Sequence, residues 1–483
     1  MLQAFARRAP SISVRARCLC TKPPTSPGPP EREYVQPSTE EKSALKILKD
    51  EFRPLFTGEA VGVEKAVPRR TDVLIIGGGL VGTAAAYFLK AHGEMFDVTI
   101  VERDYGYTRA STMLSCGGVR HQFTIPENVQ MSMFTTEFLK HYKEHLTVLG
   151  QDPPHVDFHH QGYLFLAPEN RAQLLLDCVK MQRAQGAKTV ILSKAQLAEK
   201  YPWMNLDGIE CASYGTEGEG WFDPWQLVHA LKGKNIQLGV RYCQGEVVKF
   251  RYDSVPLYTS GGIAEKKRIL GVDVDHPDGK RYGCDAAVII NSAGPWAGEV
   301  ARMAGIGVDV FPELPVEPRK RYVYTIHCPD GPTLDCPFLI DTSGAYIRRE
   351  GLGGNYICGA SPSEEAEPSI ANLDVDYEFY QEVVWPSIAH RVPAFNNSKL
   401  KCAWAGYYDY NTVDQNLIIG SHPEYRNFLF ANGMSGHGVQ QGLAIGRALF
   451  EYIYYSKYKT IDLSMFDFAR FAERRPILEQ AIV

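Results

Sequence analysis

Asp72-Val-Leu-Ile-Ile-Gly-Gly-Gly-Leu-Val-Gly82 is the stretch that decides the fold. Asp72–Ile76 is a short apolar run of the kind that makes a buried strand, and Leu80–Lys90 continues as an alanine-rich helix. Between them Gly77, Gly79 and Gly82 fit the pattern G-x-G-x-x-G. Each glycine has a physical task. Gly77 permits the tight turn, Gly79 lets backbone approach a pyrophosphate without a Cβ in the way, and Gly82 lets helix and strand pack closely. The helix then offers unpaired N–H groups and a partial positive charge to phosphate oxygens. A second strand, Phe96–Val101, leads to Glu102, twenty residues beyond Gly82 and suited to accept hydrogen bonds from ribose hydroxyls. The four parts together describe a dinucleotide site.

The same fingerprint serves NAD and FAD. The chain carries it once, and its later segments lack the evenly repeated strand–helix units of a second mononucleotide half. Both observations favour FAD. Glycine-rich motifs recur near residues 294 and 436, separated by long, polar, strand-rich stretches. That layout is α/β, with one nucleotide domain assembled from separated segments (70–125, 210–300 and 400–456). A second domain is inserted between them (126–209 and 301–399), and residues 457–483 form a tail. Glu127–Leu146 reads as a helix with Met131, Phe134, Phe138 and Tyr142 on one side, Pro126 suiting its first turn.

Composition narrows the class. The chain has 483 residues, too many for one ordinary core, with 45% hydrophobic and 22% charged residues. A net charge of −5 lacks the basic excess of a nucleic-acid surface. The 11 cysteines are scattered without a C-x-x-C pair, which reads as free thiols in a reducing compartment and gives no metal or iron–sulfur ligand set. Residues 1–30 carry Arg7, Arg8, Arg15 and Arg17 and no acid, the composition of a mitochondrial presequence directing the chain to the matrix. Residues 31–69 are a linker, with Leu45, Ile47, Leu48 and Phe52 at near-helical spacing in Ser43–Leu55. The apolar run Val73–Leu89 is broken by four glycines and does not read as a membrane span, which leaves peripheral association with the inner membrane open.

Three later stretches carry a family resemblance. Ala287-Val-Ile-Ile-Asn-Ser-Ala-Gly-Pro-Trp-Ala297 resembles the second FAD-contacting strand and loop of the D-amino-acid oxidase and sarcosine oxidase family. Thr412-Val-Asp414, Leu417–Gly420 and Asn432-Gly-Met-Ser-Gly-His-Gly438 resemble its C-terminal flavin signature, and Phe466–Phe471 its closing stretch. The resemblance implies a Rossmann-like FAD domain and a mixed-sheet α+β substrate domain covering the flavin ring. Ser111, Thr112, Gly117 and Gly118 then fall on a loop that passes the flavin. Val247, Ala293, Gly294, Trp296, Gly433, Gly436, His437 and Gly438 join Gly77, Gly79, Gly82 and Glu102 as expected cofactor contacts. The whole chain, leader included, also resembles a mitochondrial member linked to assembly of respiratory complex I, which implies complex I subunits or assembly intermediates as partners.

Family enzymes oxidise a carbon–nitrogen bond, so a small amine or amino acid is the implied substrate. Arg120 matches a family arginine that pairs with the substrate carboxylate, a task suited to a guanidinium; a structural ion pair is the alternative. His121 beside it is a cofactor contact or a structural histidine. His437 is assigned a positioning role. Monomeric sarcosine oxidases tether FAD to a cysteine five residues before Thr-x-Asp. That position is Tyr407 here, and Cys402 lies too far upstream, so FAD is expected to be noncovalent. Gln440 stands where those oxidases have a lysine that assists the reaction with oxygen. A poor oxidase is expected, and Gln440→Lys is expected to raise oxygen consumption. Trp221, Trp225, Trp296, Trp404, Tyr407 and Tyr408 suit a cavity or a core. Arg348 and Arg349 read as a solvated strand end, with carboxylate recognition as the alternative.

Overall fold

Arg70–Ile76, the strand before the glycine loop, sits centrally in a nine-stranded sheet and is apolar on both faces because both faces are covered. The computed structural model describes residues 62–64, 66–93, 95–259 and 262–479; the basic leader, the proline-rich spacer and Ser43–Leu55 lie outside the described residues. The parallel part of this sheet runs Val63–Glu64, Arg241–Gln244, Val98–Glu102, Arg70–Ile76, Arg281–Asn291 and Phe428–Asn432. The hairpin Glu246–Thr259 with Gly262–Asp275 extends it antiparallel, and Ile418–Ser421 pairs antiparallel with Phe428–Asn432. The helix Leu80–His92 covers one face together with Gly438–Tyr455. These two helices approach closely at Gly446, where a Cβ would lie 2.7 Å from that of Ala84. Ala297–Met303 covers the other face.

The second sheet has eight strands in the order Lys399–Asn411, Val316–His327, Asn355–Gly359, Tyr346–Glu350, Phe338–Ile340, Tyr163–Ala167, Cys211–Gly215 and Thr189–Ser193. Phe338–Ile340 pairs parallel with Tyr163–Ala167 while the other neighbours are antiparallel, so the sheet is mixed. Tyr322, Tyr324, Tyr380, Ile388 and Phe395 form the core between it and the helices of residues 377–391.

The architecture is thus a Rossmann-like nucleotide-binding domain built from separated segments with an inserted mixed-sheet domain. Three boundaries shift from the expectation. Cys211–Gly215 and Lys399–Asn411, expected in the cofactor domain, are strands of the second sheet. Pro126–Lys140, expected in the inserted domain, buries Met131, Phe138 and Leu139 in the first core. A strand's sheet is decided by distant partners and a helix's domain by what its apolar face meets, so composition does not mark these crossings. The single expected helix over 127–146 is also broken at His141.

The closing stretch is anchored by a fully buried ion pair. Arg470 donates from Nε to Asp414 Oδ2 (2.7 Å) and from Nη2 to Asp414 Oδ1 (3.0 Å), and from Nη1 to the Phe466 carbonyl (2.7 Å). Asp414 also accepts from Asn411 Nδ2 and from the Ile477 N–H, so the Thr-x-Asp motif is the socket for the C-terminal segment.

Candidate functional site

A cavity of about 810 Å3 opens at the carboxyl ends of the parallel strands, lined there by Ile76, Val101, Ser292 and Ala431. Its volume lies in the roughly 300–1,000 Å3 range of ligand sites, and its position is where open α/β sheets bind cofactors. Gly77, at φ +102, makes the turn: a Cβ there would lie 2.4 Å from the Ser292 carbonyl oxygen. Gly79 and the first helical residues Leu80 and Val81 face the cavity; the N-cap glycine has no side chain to cap the helix, and the Leu80 N–H donates to Thr112 Oγ1 (3.3 Å). Ser111 and Thr112 line the cavity beside this turn, the Ser111 hydroxyl buried without a partner.

Glu102 marks one end. Its Oε2 accepts from the Gly78 N–H (2.8 Å) and its Oε1 from the Asp104 N–H (2.9 Å), which fixes the carboxylate while leaving lone pairs for diol hydroxyls. Burial pushes its pKa up, against the pull of these two N–H groups. Glu102→Ala removes a charged acceptor contributing about 1.5–3 kcal/mol. FAD affinity, followed by quenching of flavin fluorescence, is expected to fall about 10–100-fold. Arg103 stacks 3.9 Å from the Trp296 ring centroid and Arg109 lies 5.3 Å from it, so two guanidiniums and an indole wall the cavity beside Val247, Ala293 and Gly294.

The far end is built by the second sheet. Trp404 Nε1 donates to the Leu114 carbonyl (2.9 Å) and Arg348 Nε to the Cys116 carbonyl (2.8 Å), tying the 114–116 loop to the sheet. Leu114, Cys116, Tyr346, Ala360, Gly406, Tyr407, Tyr408 and Asp409 line this end with Met434–Gly436 and Gly438. Asp409 Oδ2 accepts from the Met434 N–H (3.1 Å), and its carbonyl accepts from the Ser435 N–H (2.9 Å). The loop before the final helix is therefore held by Asp409.

Of the expected cofactor residues, Gly77, Gly79, Glu102, Ser111, Thr112, Val247, Ala293, Gly294, Trp296, Gly436 and Gly438 line the cavity. Gly82, Gly117, Gly118, Gly433 and His437 do not line it. Gly82 packs under the loop against the Gly77 carbonyl, and Gly117 at φ +74 turns against the Phe222 carbonyl. Gly118 abuts Phe338, and Gly433 sits between Asn411 and Ile418.

Arg120, His437 and Gln440, expected to act at the reaction site, do not line the cavity. Arg120 is buried over the Phe123 ring (4.4 Å) and the Phe165 ring (4.8 Å), donates to the Gln122 carbonyl, and approaches His437 Nε2 (3.3 Å). Gln440 Oε1 accepts from the Arg120 N–H (3.0 Å). The short strand Gly118–Val119, paired with Gly220–Trp221, sets this direction for Arg120. The carboxylate-binding assignment is therefore corrected to a structural one. Burial and the neighbouring guanidinium hold His437 neutral, far below the usual histidine range. The expectation for Gln440→Lys changes with this geometry. An ammonium there cannot accept the Arg120 N–H bond and would be buried away from the cavity. The variant is expected to gain no oxygen reactivity and to lose about 2–4 kcal/mol in denaturant titrations.

Other readings shift as well. Arg348 and Arg349 are buried, not solvated. His121 bonds Thr136 Oγ1 (2.9 Å) and burial lowers its pKa to about 4, the behaviour of a structural histidine. Trp221 is buried beside Phe338, and Trp225 is 40% exposed. Arg103, Tyr346, Arg321 and Asp409 were missed as cavity residues. Only Arg103 had a local signal, its place after the ribose acid.

The residues fit FAD. Glycines with positive φ at Gly294 and Gly436 face open space, the Ser111 hydroxyl is buried without a partner, and the acid stands beside the glycine loop and helix N-terminus in one cavity. Among the described residues Cys116 is the one cysteine lining it; burial raises its thiol pKa, which disfavours the thiolate a covalent tether needs. Comparison with known proteins agrees. The chain is 49% identical over 426 residues to FAD-dependent oxidoreductase domain-containing protein 1 of Xenopus laevis, covering 86% of this chain and 85% of that one. It is 25% identical to human mitochondrial sarcosine dehydrogenase over 85% of this chain and 42% of that protein. Among solved structures, L-proline dehydrogenase from P. horikoshii superposes with a TM-score of 0.71 at 24% identity, covering 85% of this chain and 100% of that one. The family described as FAD dependent oxidoreductase (DAO) matches residues 72–452. With the cradle and its FAD fit, this match shows that the chain belongs to the DAO family of FAD dependent oxidoreductases, with FAD as its noncovalent cofactor.

Proposed function

We propose that this chain is a mitochondrial FAD-dependent dehydrogenase acting on the C–N bond of a small amino acid or N-methyl amino acid, with an electron acceptor other than oxygen. The observation that carries this reading is the far end of the cavity, where Tyr346, Tyr408, Asp409 and Arg321 meet around the cofactor position and no lysine lines the wall among the described residues. An unpaired cation beside the reduced cofactor favours superoxide and peroxide; Arg321, the guanidinium at this end, is paired with Glu367 (2.7 Å), which favours transfer to another acceptor. The names of similar proteins supply the substrate class: sarcosine dehydrogenase and, at 26% identity, dimethylglycine dehydrogenase of Mus musculus, both mitochondrial, besides L-proline dehydrogenase. Bound FAD supplies hydride acceptance. The protein's part is to hold the amine, exclude water and manage its proton.

The basic leader and the mitochondrial relatives support a matrix location. Among the described residues no helix is long and apolar enough to cross a membrane, and peripheral association with the inner membrane is part of the proposal. The test is anaerobic addition of glycine, sarcosine, dimethylglycine and L-proline to the full-length holoprotein. One of them is expected to bleach the flavin band, with slow recovery in air and fast recovery with an artificial acceptor. Fast recovery in air overturns the dehydrogenase reading.

The whole-chain likeness to FAD-dependent oxidoreductase domain-containing protein 1 favours a second role. In it the chain is required for assembly of complex I, with complex I subunits or assembly intermediates as partners, and FAD supports the fold of a binding module. Copurification of complex I subunits, with no bleaching by any amine, is the outcome that selects this role. If no subunit copurifies, the role fails.

A further inference from the structure

Among the described residues six carboxylates line the flavin cavity: Glu102, Asp104, Glu246, Asp275, Glu299 and Asp409. Glu102 and Asp104 are committed to backbone N–H groups of the adenosine end. Asp275 is ion-paired with Arg281, Glu246 faces Arg103, and Glu246 and Glu299 are exposed. Asp409 alone of the six is buried, at 6% exposure, and it alone sits among the ring-end residues Tyr408, Met434 and Ser435. Building on the amine dehydrogenase reading, we propose that Asp409 is the catalytic base that takes the proton from the substrate ammonium.

The chemistry needs such a group. A protonated amine has no lone pair to drive hydride loss from the adjacent carbon. One N–H bond breaks, its proton goes to an Asp409 carboxylate oxygen, and the electron pair stays on nitrogen. The adjacent C–H then gives up its hydrogen with both electrons to FAD, the oxidant, and the C–N bond becomes C=N. The substrate loses one proton and one hydride in all.

The surroundings tune Asp409 for this task. Burial raises its carboxyl to about 6, opposed by the backbone N–H groups of Met434 and Gly433. No charged group reaches it from the elements packed around it. On the neighbouring strand Pro318 lies directly opposite. Lys320, on the same face, gives its ammonium to the Asn372 and Asp374 carbonyls (both 3.3 Å). Glu317 and Arg319 lie on the other face and pair with each other (2.7 Å). His437, beyond the 433–436 loop, is turned to Arg120. A base that titrates near 6 is ionised at neutral pH and still basic enough to accept a proton in the closed complex.

Two readouts test the assignment in the full-length holoprotein. In the resting state, without amine, the visible spectrum of bound FAD is expected to titrate near pH 6, to lose that step in Asp409→Asn and to keep a shifted step in Asp409→Glu. In anaerobic stopped-flow with whichever of glycine, sarcosine, dimethylglycine or L-proline bleaches the wild type, the reduction rate should rise about tenfold per pH unit below 6 and level above it. Asp409→Asn should be slower by about 100-fold or more without that inflection, and Asp409→Glu should restore it. FAD content, read by absorbance, separates loss of the base from loss of the loop that Asp409 holds. An unchanged resting titration in Asp409→Asn, or an unchanged rate and profile, overturns the assignment. A wild type that titrates near pH 6 but is bleached by none of the four amines instead refutes the substrate class, and with it the proton-transfer role built on that class.

Discussion

Gly82→Val yields a protein that emerges from gel filtration without FAD. Even the first carbon of the new side chain would lie 2.1 Å from the Gly77 carbonyl oxygen, 2.8 Å from Ser292 Oγ and 3.0 Å from Ile75 Cγ2. Two of these belong to the turn and the strand that shape the pyrophosphate loop, so relief moves the loop itself. Overpacking of this kind costs about 1–3 kcal/mol, and the displaced loop also gives up its approach to the phosphates. FAD binding is expected to weaken by on the order of a hundredfold or more, measured as the ratio of flavin to protein absorbance after desalting. Gly233→Ala is the matched control. It lies in the helix Pro224–Gln237, where a Cβ meets nothing nearer than Val148 Cγ2 at 3.9 Å. That variant should keep its FAD and gain about 0.5–1 kcal/mol from the lost glycine entropy. A Gly82→Val protein with stoichiometric FAD refutes the tight-packing role given to this glycine.

Arg470→Met should be the most destabilising single change in the C-terminal segment. It leaves Asp414, fully buried, without its two guanidinium bonds. Removing one partner of a buried ion pair typically costs about 3–5 kcal/mol, because a desolvated charge is stranded. The expected signature is a lower urea midpoint with an unchanged slope and early loss of protection at Phe466–Ile477 in hydrogen exchange. Asp414→Asn in the same background should recover part of the loss, since a neutral amide strands no charge. Loss of less than about 1 kcal/mol in Arg470→Met would show that water reaches the pair.

The glycine loop, its strand and the ribose acid were readable because their roles are local: turn, close approach and cap are encoded within a few residues. The second half of the cradle, Ala293–Trp296 and Gly436–Gly438, was readable through family motifs that keep their order along the chain. Asp409, Tyr346, Arg321 and Cys116 were not. Asp409 reaches the cavity because Lys399–Asn411 pairs with Val316–His327 and runs on to the 433–436 loop. Such pairings carry no mark in local spacing. Arg120 shows the converse. Its residue type and position matched a carboxylate clamp, yet its side chain lies between Phe123 and Phe165, a direction set by a two-residue strand and its distant partner. Gln440 went astray for the same reason, since a helix position does not state which neighbour the amide will meet.

The walls of the flavin cavity come from residues 76–116, 245–303, 321–361 and 406–439. No amino-terminal fragment emerging from a ribosome owns the whole pocket, so flavin uptake must await completion of the chain. A ligand that binds only the finished fold stabilises it by mass action, in proportion to the logarithm of its free concentration. Vitamin supply is thereby expected to set the stability of the finished chain: when flavin is scarce, chains with an open cavity should be cleared sooner, and pulse-chase lifetimes should lengthen on riboflavin addition.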